Sequence, residues 1–123
     1  MEDRFNLERF IAAQKDKIDS VRGELRHGCK YGHWMWFVFP QLRGLGKSWM
    51  ANHNAISSRA EAEAYLKHPT LGPRLVECTE LVNVVEGRAV EEIFGWIDSV
   101  KFRSSMTLFS KVDSDTNARL RKL

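Results

Sequence analysis

Apolar residues recur at helical strides along the first part of the chain. Leu7, Ile11, Ile18, Val21 and Leu25 lie three, four and seven positions apart, with Phe10 widening the stripe. This spacing predicts one amphipathic helix from Asn6 to Leu25. Asn6 is a suitable cap for its start and Gly28 for its end. Gly23, inside the pattern, costs about 1 kcal/mol against alanine. From His33 to Phe39 the chain is apolar on every side, hence buried, until Pro40 stops it. Periodicity does not separate strand from helix in so short a run. With Val38 its one β-branched residue and no partner strand in view, helix is the expectation. Gln41 to Met50 reads as a loop punctuated by Gly44 and Gly46.

Further along, Ser58 and Glu61 make a capping box for a helix through Lys67. Pro69 and Pro73 break and restart the chain. Pro73 suits the first turn of a helix to Val85 that buries Leu75, Cys78, Leu81, Val82 and Val85. Glu86 and Gly87 form a turn, and a short segment from Val90 to Phe94 ends at Gly95. Asp98 or Ser99 caps a last helix to about Lys111, with Phe102, Met106 and Phe109 on one face. Val112 to Leu123 is polar and basic and is expected to fray. The pattern predicts an all-α protein, a compact single-domain bundle of about five to six helices over residues 1–123.

Composition narrows the class. A hydrophobic content of 43% and a charged content of 28% belong to a packed globular chain, not a disordered one. The longest apolar run, Trp34 to Phe39, falls far short of the ~20 residues that cross a membrane, and MEDRFNLERF is no secretory signal. With Cys29 and Cys78 as the two cysteines, free thiols and a cytoplasmic setting are the expectation.

Charge changes the picture most. Between Leu25 and Ala60 there is no aspartate or glutamate, while Arg26, Lys30, Arg43, Lys47, Arg59, three histidines and six of the thirteen aromatic residues fall there. Such a segment suits an anionic partner, because nothing local competes for its cations. The net charge of +3 is too small for strong nonspecific DNA binding. The run Gly32 to Ser48 ends like a phosphate loop, but G-x-x-x-x-G-K-[ST] has Gln41 where its first glycine belongs, and no strand precedes it. His27, Cys29 and His33 supply three of the four ligands a structural zinc wants, so neither metal nor cofactor is expected. Trp34 and Trp36 are two apart and point to different sides of a helix, so at most one lines a pocket while the other packs in the core. Arg103 stands at the margin of the last helix's apolar face, where it meets either a carboxylate or an anion.

Two stretches carry a family likeness. Gly32-His33-Trp34-Met35-Trp36-Phe37-Val38-Phe39-Pro40-Gln41-Leu42-Arg43-Gly44-Leu45-Gly46-Lys47-Ser48 is the first, and Lys101-Phe102-Arg103-Ser104-Ser105-Met106-Thr107-Leu108-Phe109 the second. Between them stand Glu63-Ala64-Tyr65-Leu66, His68-Pro69 and Leu71-Gly72. On these motifs the chain resembles, from about Leu7 to Phe109, the bacterial family catalogued as domain of unknown function 1810. The resemblance implies a small, cytosolic, helical protein without an established activity. It also implies a further helical segment after the second stretch, where Lys111 to Leu123 stands here.

The functional expectation is a protein that binds a small anionic or nucleotide-like ligand in a basic, aromatic pocket, with hydrolysis of that ligand left open. The candidate residues are His33 for proton transfer, Trp34 or Trp36 as a stacking wall, and Gln41 as polar orienter. Arg43, Lys47 and Arg103 are the anion contacts, with Ser104 beside them. The alternatives are a non-catalytic protein-interaction module anchored by tryptophans and, less favoured, a single-stranded nucleic-acid binder. A monomer or a homodimer is compatible with the sequence, and no membrane partner is expected.

Overall fold

The computed structural model describes residues 3–45 and 48–112, without the side chain of Met50. Among the described residues there are eight helices: α1 Glu8–Gln14, α2 Ile18–His27, α3 Met35–Val38, α4 Trp49–His53, α5 Arg59–Lys67, α6 Leu71–Asn83, α7 Val90–Phe94 and α8 Trp96–Ser110. The one β feature among them is an isolated bridge between Leu42 and Ile56. The chain is therefore all-α, and no described helix is long and apolar enough to cross a membrane. Residues 113–123, where fraying was expected, lie outside the described residues, as does Lys47.

The first stripe is divided. The expected helix over Asn6 to Leu25 is two, α1 and α2, separated at Lys15–Lys17. The seven-residue step from Ile11 to Ile18 keeps both on one face whether or not the backbone between continues. Gln14 marks the break. Its buried amide donates to the Phe37 carbonyl at 2.6 Å and to the Tyr65 hydroxyl at 3.3 Å, and it accepts from Arg74 at 3.2 Å. Asn6 does not cap α1. It sits at a φ of 53°, and the Asp3 carboxylate accepts instead from the N–H of Leu7 (2.7 Å) and Glu8 (2.9 Å). Those two bonds hold the Asp3 pKa below its ordinary value.

Elsewhere local chemistry decides the ends as expected. Gly28 closes α2 at a φ of 78°, and the Ser58 hydroxyl accepts from the Glu61 N–H at 3.2 Å. The last helix starts earlier than expected: neither Asp98 nor Ser99 caps it. Gly95, at φ 82° and ψ 164°, turns the chain directly from α7 into α8 without a side-chain cap, a conformation that favours glycine.

Two aromatic clusters make the core. Phe39 is the hub of one, with its ring 5.0 Å from Phe102, 5.9 Å from Phe94 and 6.2 Å from Trp34. Tyr65 is the hub of the other, 5.1 Å from Phe10 and 5.3 Å from Phe109. The edge-on geometries among these rings are the favoured ones. α8 passes through both clusters, presenting Phe102 to the first and Phe109 to the second. The apolar run that closes at Pro40 lies across it. Cys29 and Cys78 are both free, and burial pushes the Cys78 thiol up to about 12.

Candidate functional site

α8 meets the acid-free segment along much of its length, and three hollows open nearby. The first lies at the N-terminal end of α8 and has a volume of about 500 Å³. Lys30 and His33 reach it from the turn after α2, Trp36 from α3, and Trp96, Asp98 and Lys101 from the first turns of α8.

Glu24 sets the shape of this turn from outside the acid-free segment. Its carboxylate accepts from the backbone N–H of Tyr31, from that of Gly32 at 2.9 Å and from the Trp34 indole at 3.1 Å. Burial raises its pKa, but these three bonds and the Lys30 charge outweigh burial, so the net displacement is downward from 4.5. A carboxyl with a folded-state pKa below its unfolded one stabilises fully above the unfolded value and loses that contribution as pH falls through the folded value. Thermal midpoints measured from pH 6 to pH 3 should therefore decline below about 4.5. Glu24→Gln should start about 1–3 kcal/mol less stable at neutral pH and decline less steeply.

Charge in this hollow is organised around one acid. Asp98 accepts from Lys30 at 2.7 Å and from Lys101 at 3.2 Å. Two ammonium groups share this carboxylate, and the Lys30 charge also acts on Glu24. The Lys101 nitrogen lies 4.9 Å from the centre of the Trp36 ring, and the Lys30 nitrogen 5.3 Å from that of Trp34. The uncapped start of α8 adds the positive end of a fifteen-residue helix. Trp96, 71% exposed, and half-buried Trp36 are two aromatic walls, and exposed His33 stands at the rim.

Trp34 is corrected from stacking wall to core residue. It is 2% exposed and closed in by Phe39, Phe94 and the bond to Glu24. Trp36 joins His33, whereas Gln41, Arg43, Arg103 and Ser104 do not, and Lys47 lies outside the described residues. Arg103 and Ser104 line a second, largely apolar hollow of about 440 Å³ with Leu42, Leu45 and Val100. Arg103 also donates to Glu91 at 2.8 Å, which holds the Glu91 pKa below its ordinary value. The reason is rotational: Arg103 is about 200° round the helix from Lys101.

Arg43 belongs to a third hollow of about 450 Å³, with Arg4, Arg9, His53 and Glu61. Pro40 ends α3, and the bridge hydrogen bonds Ile56 N–H to Gln41 O and Arg43 N–H to Ile56 O, both 2.8 Å, tie the following residues to the connection between α4 and α5. Gln41 lines none of the three hollows. The single convergent pocket expected from the sequence is thus three separate ones. The residues that sequence reasoning passed over are Trp96, Asp98 in its pairing role, and Lys101. A tryptophan directly after a glycine at a helix start was the available signal for the first. Among the described residues no group of three or more His, Cys, Asp or Glu could hold a metal ion.

Comparison with known proteins adds family and fold. The family model described as "Protein of unknown function (DUF1810)" matches residues 4–123. The chain is similar to the conserved hypothetical protein Rv1873 from Mycobacterium tuberculosis, solved as a crystal structure, at 57% identity and a TM-score of 0.93. The match covers 95% of this chain and 84% of that one. No curated protein matches the chain.

Proposed function

Since the chain belongs to the DUF1810 family of unknown function, its role must be sought in its own geometry, and we propose that it binds a small anionic, nucleotide-like ligand in the hollow at the start of α8. The observation that carries this reading is the triad of Lys30, Asp98 and Lys101 beside Trp36 and Trp96. In this hollow a cation lies over one indole, and a second, exposed indole stands beside it. With both lysines already facing carboxylates, the hollow suits a ligand of low charge, such as a monophosphate or a carboxylate, rather than a triphosphate. The two indoles offer an aromatic body somewhere to stack, and the start of α8 offers N–H donors to its anionic end. His33, an imidazole at the rim of the hollow, is the candidate proton-transfer residue if the bound ligand is hydrolysed.

The test is a tryptophan-fluorescence titration with nucleoside monophosphates and sugar phosphates. Saturable quenching is expected with the nucleotides. Lys101→Glu should weaken it about tenfold or more, since it removes a charge-assisted contact and introduces a repulsive one. His33→Ala should leave affinity unchanged while abolishing any turnover. Absence of saturable quenching by every ligand would sink the reading.

A second reading is favoured by one specific feature. Ile97 and Val100 on α8, with Leu42 and Leu45 beside it, are apolar and exposed. This patch fits a protein-interaction module better than a pocket. Concentration-dependent elution on gel filtration, shifted by Val100→Lys, would support it over ligand binding.

A further inference from the structure

The third hollow carries chemistry that the proposed ligand site does not use. Its floor is Arg9, whose guanidinium makes five hydrogen bonds, the full number it can donate. It donates to the carbonyls of Phe5 (2.7 Å), Asn6 (2.9 Å), His53 (2.9 Å) and Ala55 (2.8 Å), and to Glu61 at 2.8 Å. The other Glu61 oxygen accepts from the Ser57 N–H at 2.8 Å and its hydroxyl at 2.7 Å. Floor charges therefore cancel, and no floor donor is left over. The cations above it are different. Arg4 and Arg43 line the same hollow, and neither has an ion-pair partner among the described residues. His53 faces it too, its ring stacked on Trp49 at 4.6 Å and 9°.

From this arrangement we infer that the hollow is a binding site for a phosphate dianion, free or as a monoester, held by Arg4 and Arg43. Two guanidinium groups without an ion-pair partner among the described residues carry the two charges such a group needs and present forked donors to its oxygens. The lining is mainly polar, so there is little surface for an apolar ligand body. The chain segments that form it come from the N-terminus, the loop after Pro40 and the end of α4. Arg9 fastens the first and last of these together, and the Leu42–Ile56 bridge fastens the second, so the site stands ready without closure. It is separate from the hollow at the start of α8 and does not depend on that reading.

The experiment is a two-dimensional NMR titration of the ¹⁵N-labelled full chain with inorganic phosphate, and in a parallel arm glycerol phosphate, at constant ionic strength in sodium chloride. Saturable shifts are expected at Asn52, His53 and the backbone of Arg43. Arg43→Ala and Arg4→Ala should each weaken binding about tenfold, and Arg43→Lys should restore part of it. Both arginines are exposed, so these variants fold. Lys15→Ala, an exposed cation that lines none of the hollows, should leave the titration unchanged. A tighter glycerol phosphate arm identifies a monoester as the ligand, and equal arms identify free phosphate. Shifts no larger than those of matched chloride would overturn the inference. So would shifts that persist in Arg43→Ala but vanish in Lys101→Glu. Tighter binding of a single-stranded oligonucleotide, lost in the same arginine variants, would overturn the small-molecule assignment.

Discussion

Replacing Arg9 with alanine should lower the free energy of unfolding by about 3–5 kcal/mol, the range found when one partner of a buried ion pair is removed. Arg9 is 10% exposed and Glu61 2%. Truncation leaves the carboxylate buried without its cation, and leaves the carbonyls of Phe5, Asn6, His53 and Ala55 each short of one donor. A loss of this size approaches the whole stability of many domains of this length. Urea denaturation monitored by tryptophan fluorescence measures it. The paired replacement Arg9→Met with Glu61→Leu separates causes, because it removes both charges together. If the double variant recovers at least half of the loss, the unpaired carboxylate is the main penalty. If it is as unstable as the single variant, the four carbonyl bonds are what α1 and α4 depend on.

Gly72→Ala should cost about 3 kcal/mol, at the upper end for overpacking, because what it strikes is backbone. Gly72 is in the first turn of α6 and its φ is unremarkable. The constraint is space. A Cβ there would run into the carbonyl oxygen of Leu66 and stand 2.9 Å from its carbon. The last turn of α5 has no room to retreat, since the His68 imidazole accepts from Thr70 N–H (3.1 Å) and Leu71 N–H (3.2 Å) across the same corner. Gly23→Ala is the matching control. That glycine is exposed in α2 with nothing within 4 Å of the added carbon. Its replacement should gain about 0.5–1 kcal/mol from helix propensity and a restricted unfolded chain. Chemical denaturation midpoints of the two variants should move in opposite directions. A Gly72→Ala protein as stable as its parent would mean the α5–α6 corner is looser than its hydrogen bonds imply.

The sequence was most legible where a single local rule decides. Ser58 capped its helix and Gly28 ended one because cap chemistry involves only neighbours. The inward residues of α1, α2 and α6 were readable because periodicity names a face. It does not say whether the backbone is continuous, so α1 and α2 merged. What splits them includes a buried side chain, Gln14, whose partners Phe37, Tyr65 and Arg74 are remote in sequence. The site was readable only in part for the same reason. Trp36 and His33 belong to the hollow at the start of α8, but the cation opposite them, Lys101, is two residues from the arginine that sequence reasoning preferred. On a helix that step is about 200°, and choosing between them requires knowing which side packs.

Glu24, Glu61 and Asp98 illustrate what the acid-free segment depends on. Every described carboxylate that pairs with it or bonds to it comes from outside it: Glu24 from before, Glu61, Glu63 and Asp98 from after. During synthesis, Lys30 leaves the ribosome long before Asp98 does. A nascent chain halted ahead of α8 exposes that ammonium and the indoles nearby without their counter-charge. The counter-charge of Lys30 is therefore acquired late in translation, and a chain shortened ahead of Asp98 lacks it.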